Sequence, residues 1–135
     1  MRSMLLALAL LVPQVDQDGN ELAGIRLPDI SVPLATYTGW NFRKPAIGAP
    51  NQLYPLLGSY VPFAGTKAER ERAHDPRQSI DERYPTRERY LELVQDAGTA
   101  LLKDHYLLAD DLPGLVERAG EHWDLVVNRP VGATK

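Results

Sequence analysis

The sequence predicts an α+β fold: an N-terminal β-hairpin and a long extended segment rich in proline, glycine and aromatic residues, then a C-terminal antiparallel helix pair with short helices. Three observations support it. Asp18–Asn20 reads Asp-Gly-Asn, which supplies the positive φ that a hairpin turn needs. In the segment that leads to Arg43, residues that precede a proline are biased towards an extended backbone. Between residues 87 and 123, apolar residues recur at steps of three or four, as in amphipathic helices.

A chain of 135 residues is long enough for one domain with a modest core. We treat the chain as a single unit with four parts. In order, these are an apolar N-terminal segment (1–11), a hairpin and extended segment (12–65), a helical part (66–124) and a tail (125–135).

Residues 1–11 read MRSMLLALALL, one arginine followed by a short apolar run. This pattern is similar to a weak signal peptide, and the alternative is a buried helical turn or strand. The run is too short to cross a bilayer, so we expect no membrane span. The sequence does not predict the compartment.

The acidic turn, Asp16–Asn20, has two interpretations: a hairpin tip and a calcium-binding loop. An EF-hand loop needs a glycine at its sixth position and a glutamate at its twelfth. Here Gly19 directly follows the second aspartate, and the twelfth position counted from Asp16 is Leu27. The spacing favours the hairpin tip, and no metal site is predicted.

Three aromatic residues of the extended segment, Tyr37, Trp40 and Phe42, lie close together around Gly39. We call them the aromatic group. One interpretation is a surface that binds a ligand such as a sugar ring or a base. The other is that the rings anchor an irregular segment on a hydrophobic surface, which we favour because aromatic side chains mostly pack.

Ser59 follows Gly58 just before a strand-like stretch, Tyr60–Phe63. A nucleophile elbow needs the pattern G-x-S-x-G between a strand and a helix. The run from Gly58 to Val61 lacks that pattern. We therefore favour a surface hydroxyl at Ser59 and assign no catalytic residue.

Four helices are predicted in the second half of the chain. The first runs from Lys67 to about Ala73 with Thr66 as its cap, and the second is a single turn after Ser79. The third runs from Arg87 to about Tyr106 with Thr86 as its cap. The fourth runs from about Asp111 to Trp123 with Asp110 as its cap. A frayed tail is expected from Asp124. Because an isolated hairpin is marginal in water, the extended half should pack on the helix pair or on a partner subunit.

Composition excludes several classes of function. The net charge of −3 provides no basic field, so we expect no nucleic-acid partner. Cysteine is absent, which removes thiolate nucleophiles and Cys-ligated metals. The three histidines lack metal-ligand spacing, and no cofactor is predicted.

Arginines are concentrated in the middle of the chain. Arg77 and Arg83, with Arg87 and Arg89, form an arginine cluster that could bind an anion or a phosphate. Acidic residues are intermixed with them, which favours instead local ion pairs on a solvated face.

Three blocks of the sequence carry a family resemblance: LVPQVDQDGNELAGIRLPDISVPLATYTGWNFR, GSYVPFAGTKAER and DPRQSIDERYPTRERYLELV. They resemble the C-terminal part of a bacterial family called alpha/beta hydrolase domain proteins, from about Leu11 to Trp123. Members of that family are larger serine hydrolases. The resemblance implies that the hydrolase core, with its nucleophile and catalytic histidine, lies N-terminal to this region. No catalytic residue is carried over onto this chain.

Three hypotheses follow, in order of preference. The first is a C-terminal fragment or truncated homologue that is non-catalytic by itself and covers a hydrolase core, or pairs within a homo-oligomer. The second is a free-standing ligand- or protein-binding module that uses the aromatic group or the arginine cluster. The third is a small esterase built on Ser59.

Overall fold

The computed structural model describes residues 13–48, 53–54 and 57–128. Within them the fold is α+β, as predicted, with antiparallel strand pairs and five α-helices. The N-terminal segment with its signal-peptide-like pattern lies outside the described residues, as does the end of the tail.

The elements are short in the first half of the chain and longer in the second. In order they are α1 (Pro28–Ser31), β1 (Ala35–Thr38), β2 (Asn41–Phe42), a 3₁₀ turn (Pro45–Ile47), β3 (Leu53–Tyr54), β4 (Ser59–Pro62), α2 (Lys67–Arg72), α3 (Ile80–Arg83), α4 (Arg87–Lys103), a second 3₁₀ turn (Ala109–Asp111) and α5 (Leu112–Val127). β1 pairs with β4, and β2 with β3, both in antiparallel register.

The acidic turn forms the tip of a short hairpin. Its backbone closes through the Asp16 amide, which donates to the Asn20 carbonyl at 2.8 Å. Gly19 adopts a φ of 82°, which a residue with a side chain rarely takes. Asp16 Oδ1 also accepts two backbone amides of the turn, at 2.9 and 3.0 Å. The arms are short, because the bridge between Val15 and Glu21 is isolated.

One hydrophobic core joins the two halves of the chain. Leu34, just before β1, and Ile80 of α3 are each 1% exposed. They belong to the same cluster as Tyr90 and Val94 of α4 and Trp123 of α5. The rings of Tyr90 and Trp123 stack with their centroids 5.1 Å apart. The extended half therefore packs on the helix pair.

The predicted helix caps are present at the starts of α2, α3 and α4. Thr66 Oγ1 accepts the Glu69 amide at 3.2 Å, and the Glu69 carboxylate accepts the Thr66 amide at 3.2 Å, which makes a capping box. At the start of α3, the Glu82 carboxylate accepts the Ser79 amide at 3.0 Å. The side chain of Thr86 caps α4. These short polar residues fix where each helix begins.

α4 ends at Lys103, before the predicted end near Tyr106. His105 adopts a φ of 63° and donates its amide to the Leu102 carbonyl at 3.1 Å, while the Tyr106 amide donates to the Leu101 carbonyl at 2.8 Å. This pattern is a Schellman motif, which stops a helix. His105 is therefore exposed at the point where the helix stops.

α5 continues to Val127, beyond the predicted end at Trp123. Val126, three residues after Trp123, is buried and extends the apolar face by one turn. Asp124 accepts two hydrogen bonds from Arg87 of α4, both at 2.9 Å. Residues 124–127 are therefore helical, and the expectation of a frayed tail that begins at Asp124 is wrong for these residues.

Glu82 should make the fold sensitive to acid. Hydrogen bonds from Ser79, with a further contribution from Arg70 at 2.8 Å, lower the pKa of the Glu82 carboxyl to about 2. A carboxyl whose pKa is lowered in the folded state stabilises it above the ordinary pKa of 4.5 and loses that effect as pH falls towards about 2.

We therefore expect the urea midpoint to fall between about pH 4.5 and pH 2, and to fall less in Glu82→Gln, which cannot titrate. Urea unfolding followed by circular dichroism over this pH range is the measurement. Superimposable pH profiles of the two proteins would contradict the assignment.

Candidate functional site

A cleft of about 510 Å³ lies between the Leu27–Asp29 segment, α4 and α5. We call it the α4–α5 cleft. Most of its walls are apolar, and the side chains in its lining that carry polar groups are Asp29, Tyr90, Arg118 and His122. A mainly apolar cavity of this size with few polar groups is typical of small-molecule sites.

Helical spacing explains the composition of one wall of the cleft. Leu115, Arg118, Ala119 and His122 recur at steps of three or four along α5, so they share one face of the helix. Pro28 begins α1 on the opposite wall, where its fixed φ suits the first helical position.

His122 is hydrogen-bonded to the β1–β4 sheet. Its Nε2 lies 2.8 Å from Tyr60 Oη, and the two ring centroids are 5.7 Å apart. Tyr60 in turn pairs with Tyr37 directly across the two strands, with centroids 5.4 Å apart. Three rings thus run from the sheet to the cleft.

The buried phenols are poor acids in this environment. Burial raises the pKa of Tyr37, and the nearby Asp29 carboxylate raises it further. Burial also raises the pKa of Tyr84 to about 12, and the Tyr84 hydroxyl donates to the Pro33 carbonyl at 3.0 Å. Both phenols therefore remain protonated at neutral pH, where they can donate hydrogen bonds but do not supply a phenolate nucleophile.

The aromatic group is spread along the chain after β1. Tyr37 packs on Tyr60 and also lines a second cavity, of about 290 Å³. The Trp40 carbonyl accepts a hydrogen bond from the Thr38 hydroxyl at 2.6 Å. Phe42 lies in β2, and its side chain is outside the described part of the structure. A ligand-binding role for the aromatic group stays a prediction.

The structure brings Arg77 and Arg83 together over the ring of Phe63. Their guanidinium carbons lie 5.1 and 4.2 Å from its centroid. Arg77 also pairs with Asp75 at 2.6 Å, and Arg83 binds both carboxylate oxygens of Asp18. These two arginines therefore form ion pairs. The Arg83–Asp18 pair does not lie on a solvated face, however, because its side chains are only 10% and 8% exposed. Anion binding by these arginines stays a prediction.

Asn20 fixes the acidic turn to β1. It is fully buried, its Nδ2 donates to the Ala35 carbonyl at 3.1 Å, and its Oδ1 accepts the Tyr37 amide at 2.7 Å. The Thr36 hydroxyl between these two positions donates to the carbonyl of Asp18. This buried polar network holds the turn, the sheet and the arginines in one arrangement.

Ser59 pairs with Thr38 across the sheet, and its amide donates to the Thr38 hydroxyl at 3.0 Å. Successive side chains of a strand point to opposite faces. Ser59 and Tyr60 therefore lie on opposite faces of the sheet, and His122 is bonded to Tyr60. This alternation directs Ser59 away from His122.

Residues 13–48, 53–54 and 57–128 contain no group of three or more histidine, aspartate or glutamate side chains that could hold a metal ion. Nor do they contain a helix long and apolar enough to cross a membrane. In the acidic turn, Asp16 pairs instead with Arg26 at 2.6 Å.

Sequence reasoning missed Asp29 and Arg118 as residues of the cleft. The spacing of four between Arg118 and His122 was an available signal, because residues four apart share a helix face. Asp29 had no such signal, since its place in the cleft depends on how the single turn of α1 packs against α4 and α5.

The family model described as alpha/beta hydrolase domain matches residues 2–117 of the 135. No curated protein and no solved structure matches the chain. The matched region contains the acidic turn, the strand pairs and all of α4. The resemblance noted in the sequence is therefore confirmed, and the chain belongs to the alpha/beta hydrolase domain family.

Proposed function

We propose that this chain is a non-catalytic, C-terminal part or truncated homologue of an alpha/beta hydrolase, and that it packs against a hydrolase core and covers it. Family membership supports a hydrolase-related role. The sequence has no G-x-S-x-G pattern, so the usual nucleophile of such an enzyme is missing from it. Ser59, the alternative nucleophile, lies on the sheet face away from His122.

The observation that carries the proposal is a set of exposed apolar side chains on both faces of the short hairpin and just after it, Val15, Leu22 and Ile25, which together we call the apolar patch. These side chains are 41%, 48% and 55% exposed and lie within eleven residues of chain. Exposed apolar residues that occur singly are ordinary, whereas several of them close together in the chain favour an interaction surface.

The surroundings of the patch suit an interface. The Arg26–Asp16 ion pair lies next to it in the chain, with side chains 31% and 20% exposed. An apolar centre with a polar, partly hydrated rim is the usual arrangement of a protein–protein contact. The turn that carries the patch is fixed to the core by Asn20, so its backbone is already ordered before a partner binds.

Binding to a separately purified hydrolase core of the same family tests the proposal. Isothermal titration calorimetry should show saturable binding, and Ile25→Asp should weaken it at least about tenfold because a carboxylate would be buried in the contact. Leu108→Asp is the matched control, since Leu108 is 71% exposed and is not part of the apolar patch. It should bind like the unchanged chain.

Several results would overturn the proposal. One is no binding to the core, and another is equal weakening by the two aspartate variants. Labelling of the chain by a fluorophosphonate probe that disappears in Ser59→Ala would favour the esterase hypothesis. If the chain pairs with a second copy of itself instead of a hydrolase core, light scattering of the chain alone should show a dimer, and Ile25→Asp should dissociate that dimer.

A further inference from the structure

We propose that the α4–α5 cleft binds a small apolar zwitterion, namely an apolar amino acid or a dipeptide of such residues. The site is separate from the apolar patch of Val15, Leu22 and Ile25, none of which lines the cleft. The inference therefore does not rest on the proposed packing against a hydrolase core.

The shape and walls of the cleft fit an apolar ligand. Its volume of about 510 Å³ lies within the range of small-molecule sites. Val94 of α4 and Leu115 of α5 both line it, and Leu107 contributes from the connection between these helices. Val94 is buried, and with Tyr90 it fixes the floor of the cleft in the hydrophobic core.

Two opposite charges lie in the same cleft without pairing. Asp29 is on the α1 wall and Arg118 is on the α5 wall. Among the described residues, no ion pair involves either of them, in contrast with Arg77, Arg83 and Arg87. A ligand that carries both charges can therefore satisfy both side chains without breaking an existing ion pair.

The placement of the charges selects the ligand class. A carboxylate matches the fork of the Arg118 guanidinium, and an ammonium group matches the Asp29 carboxylate. A simple carboxylic acid would meet Asp29 as a like charge, and a neutral apolar molecule would use neither side chain. An apolar zwitterion is complementary to both walls and to the apolar floor.

Calorimetry with the full 135-residue chain and the dipeptide Leu-Leu tests the inference. We expect saturable binding with one site per chain. Capping the amine (N-acetyl-Leu-Leu) or the carboxylate (Leu-Leu amide) should weaken binding about tenfold each, as should Asp29→Asn and Arg118→Gln. Arg72→Gln is the control, because Arg72 is an exposed arginine of α2 outside the cleft, and it should change nothing.

Measuring the affinity of each variant for each ligand shows which side chain binds which charged group of the dipeptide. In Arg118→Gln, Leu-Leu and its amide should bind equally, because the partner of the carboxylate is gone. In Asp29→Asn, Leu-Leu and its N-acetyl form should bind equally for the same reason. Both variants change exposed side chains, so circular dichroism should show an unchanged fold.

Three outcomes would overturn the inference: no saturable binding of Leu-Leu up to its solubility limit, octanoate binding as tightly as Leu-Leu, or the same affinity in both cleft variants as in Arg72→Gln. The fluorescence of Trp123 provides a second readout, because its ring stacks on Tyr90, which lines the cleft.

Discussion

Replacing Asn20 with alanine should lower the free energy of unfolding by about 2–6 kcal/mol, because two backbone groups would lose their partner. Asn20 is fully buried, donates to the Ala35 carbonyl and accepts the Tyr37 amide. Each buried polar group left unsatisfied costs about 1–3 kcal/mol. A small domain is stable by only about 5–15 kcal/mol, so this variant should lose a large part of its stability.

Urea unfolding followed by circular dichroism measures the effect of Asn20→Ala. Gln17→Ala is the matched control, because Gln17 is exposed in the same turn and its loss should change stability by less than about 0.5 kcal/mol. Asn20→Asp keeps an acceptor for the Tyr37 amide but places a carboxylate oxygen against the Ala35 carbonyl, so it should also destabilise. Equal stability of Asn20→Ala and Gln17→Ala would contradict the role of Asn20.

Replacing Arg83 with methionine should destabilise the fold by about 3–5 kcal/mol, because it leaves the Asp18 carboxylate buried without its cation. The two side chains are 10% and 8% exposed, and Arg83 binds both carboxylate oxygens. The guanidinium also lies 4.2 Å from the centroid of the Phe63 ring, and methionine replaces that contact only in part.

A double-mutant cycle isolates the pair from these other contacts. Adding Asp18→Asn to Arg83→Met removes the unpaired charge, so the double variant should regain more than half of the lost stability. Arg89→Met is the control: the Arg89–Glu92 pair is 53% and 63% exposed and should contribute less than about 1 kcal/mol. Additive effects of the two changes would show that the ion pair is not the cause.

Local features of this fold could be predicted from the sequence. The acidic turn, the caps at Thr66, Ser79 and Thr86, and the strand-like stretch before Phe63 all depend on residues close together in the chain. Their backbone preferences are set by side chains one to four positions away. These elements appear within one or two residues of their predicted positions.

Long-range contacts could not be predicted in the same way. Asp18 and Arg83 are 65 residues apart, so the sequence placed Arg83 on a solvated face although its partner lies in the acidic turn. The end of α4 was also missed, because a helical spacing that includes His105 does not reveal that this residue adopts a positive φ. The α4–α5 cleft depends on how α1 packs, and no periodicity in the sequence encodes that.

The side chain of Asn20 also limits the ways in which this molecule can associate. By bonding to the Ala35 carbonyl and the Tyr37 amide, it occupies the main-chain groups through which β1 would accept an additional strand. On the other strand, Pro62 has no amide to offer. Addition of a strand is therefore blocked at these two positions of β1, and β4 lacks one of the donors that such pairing would use.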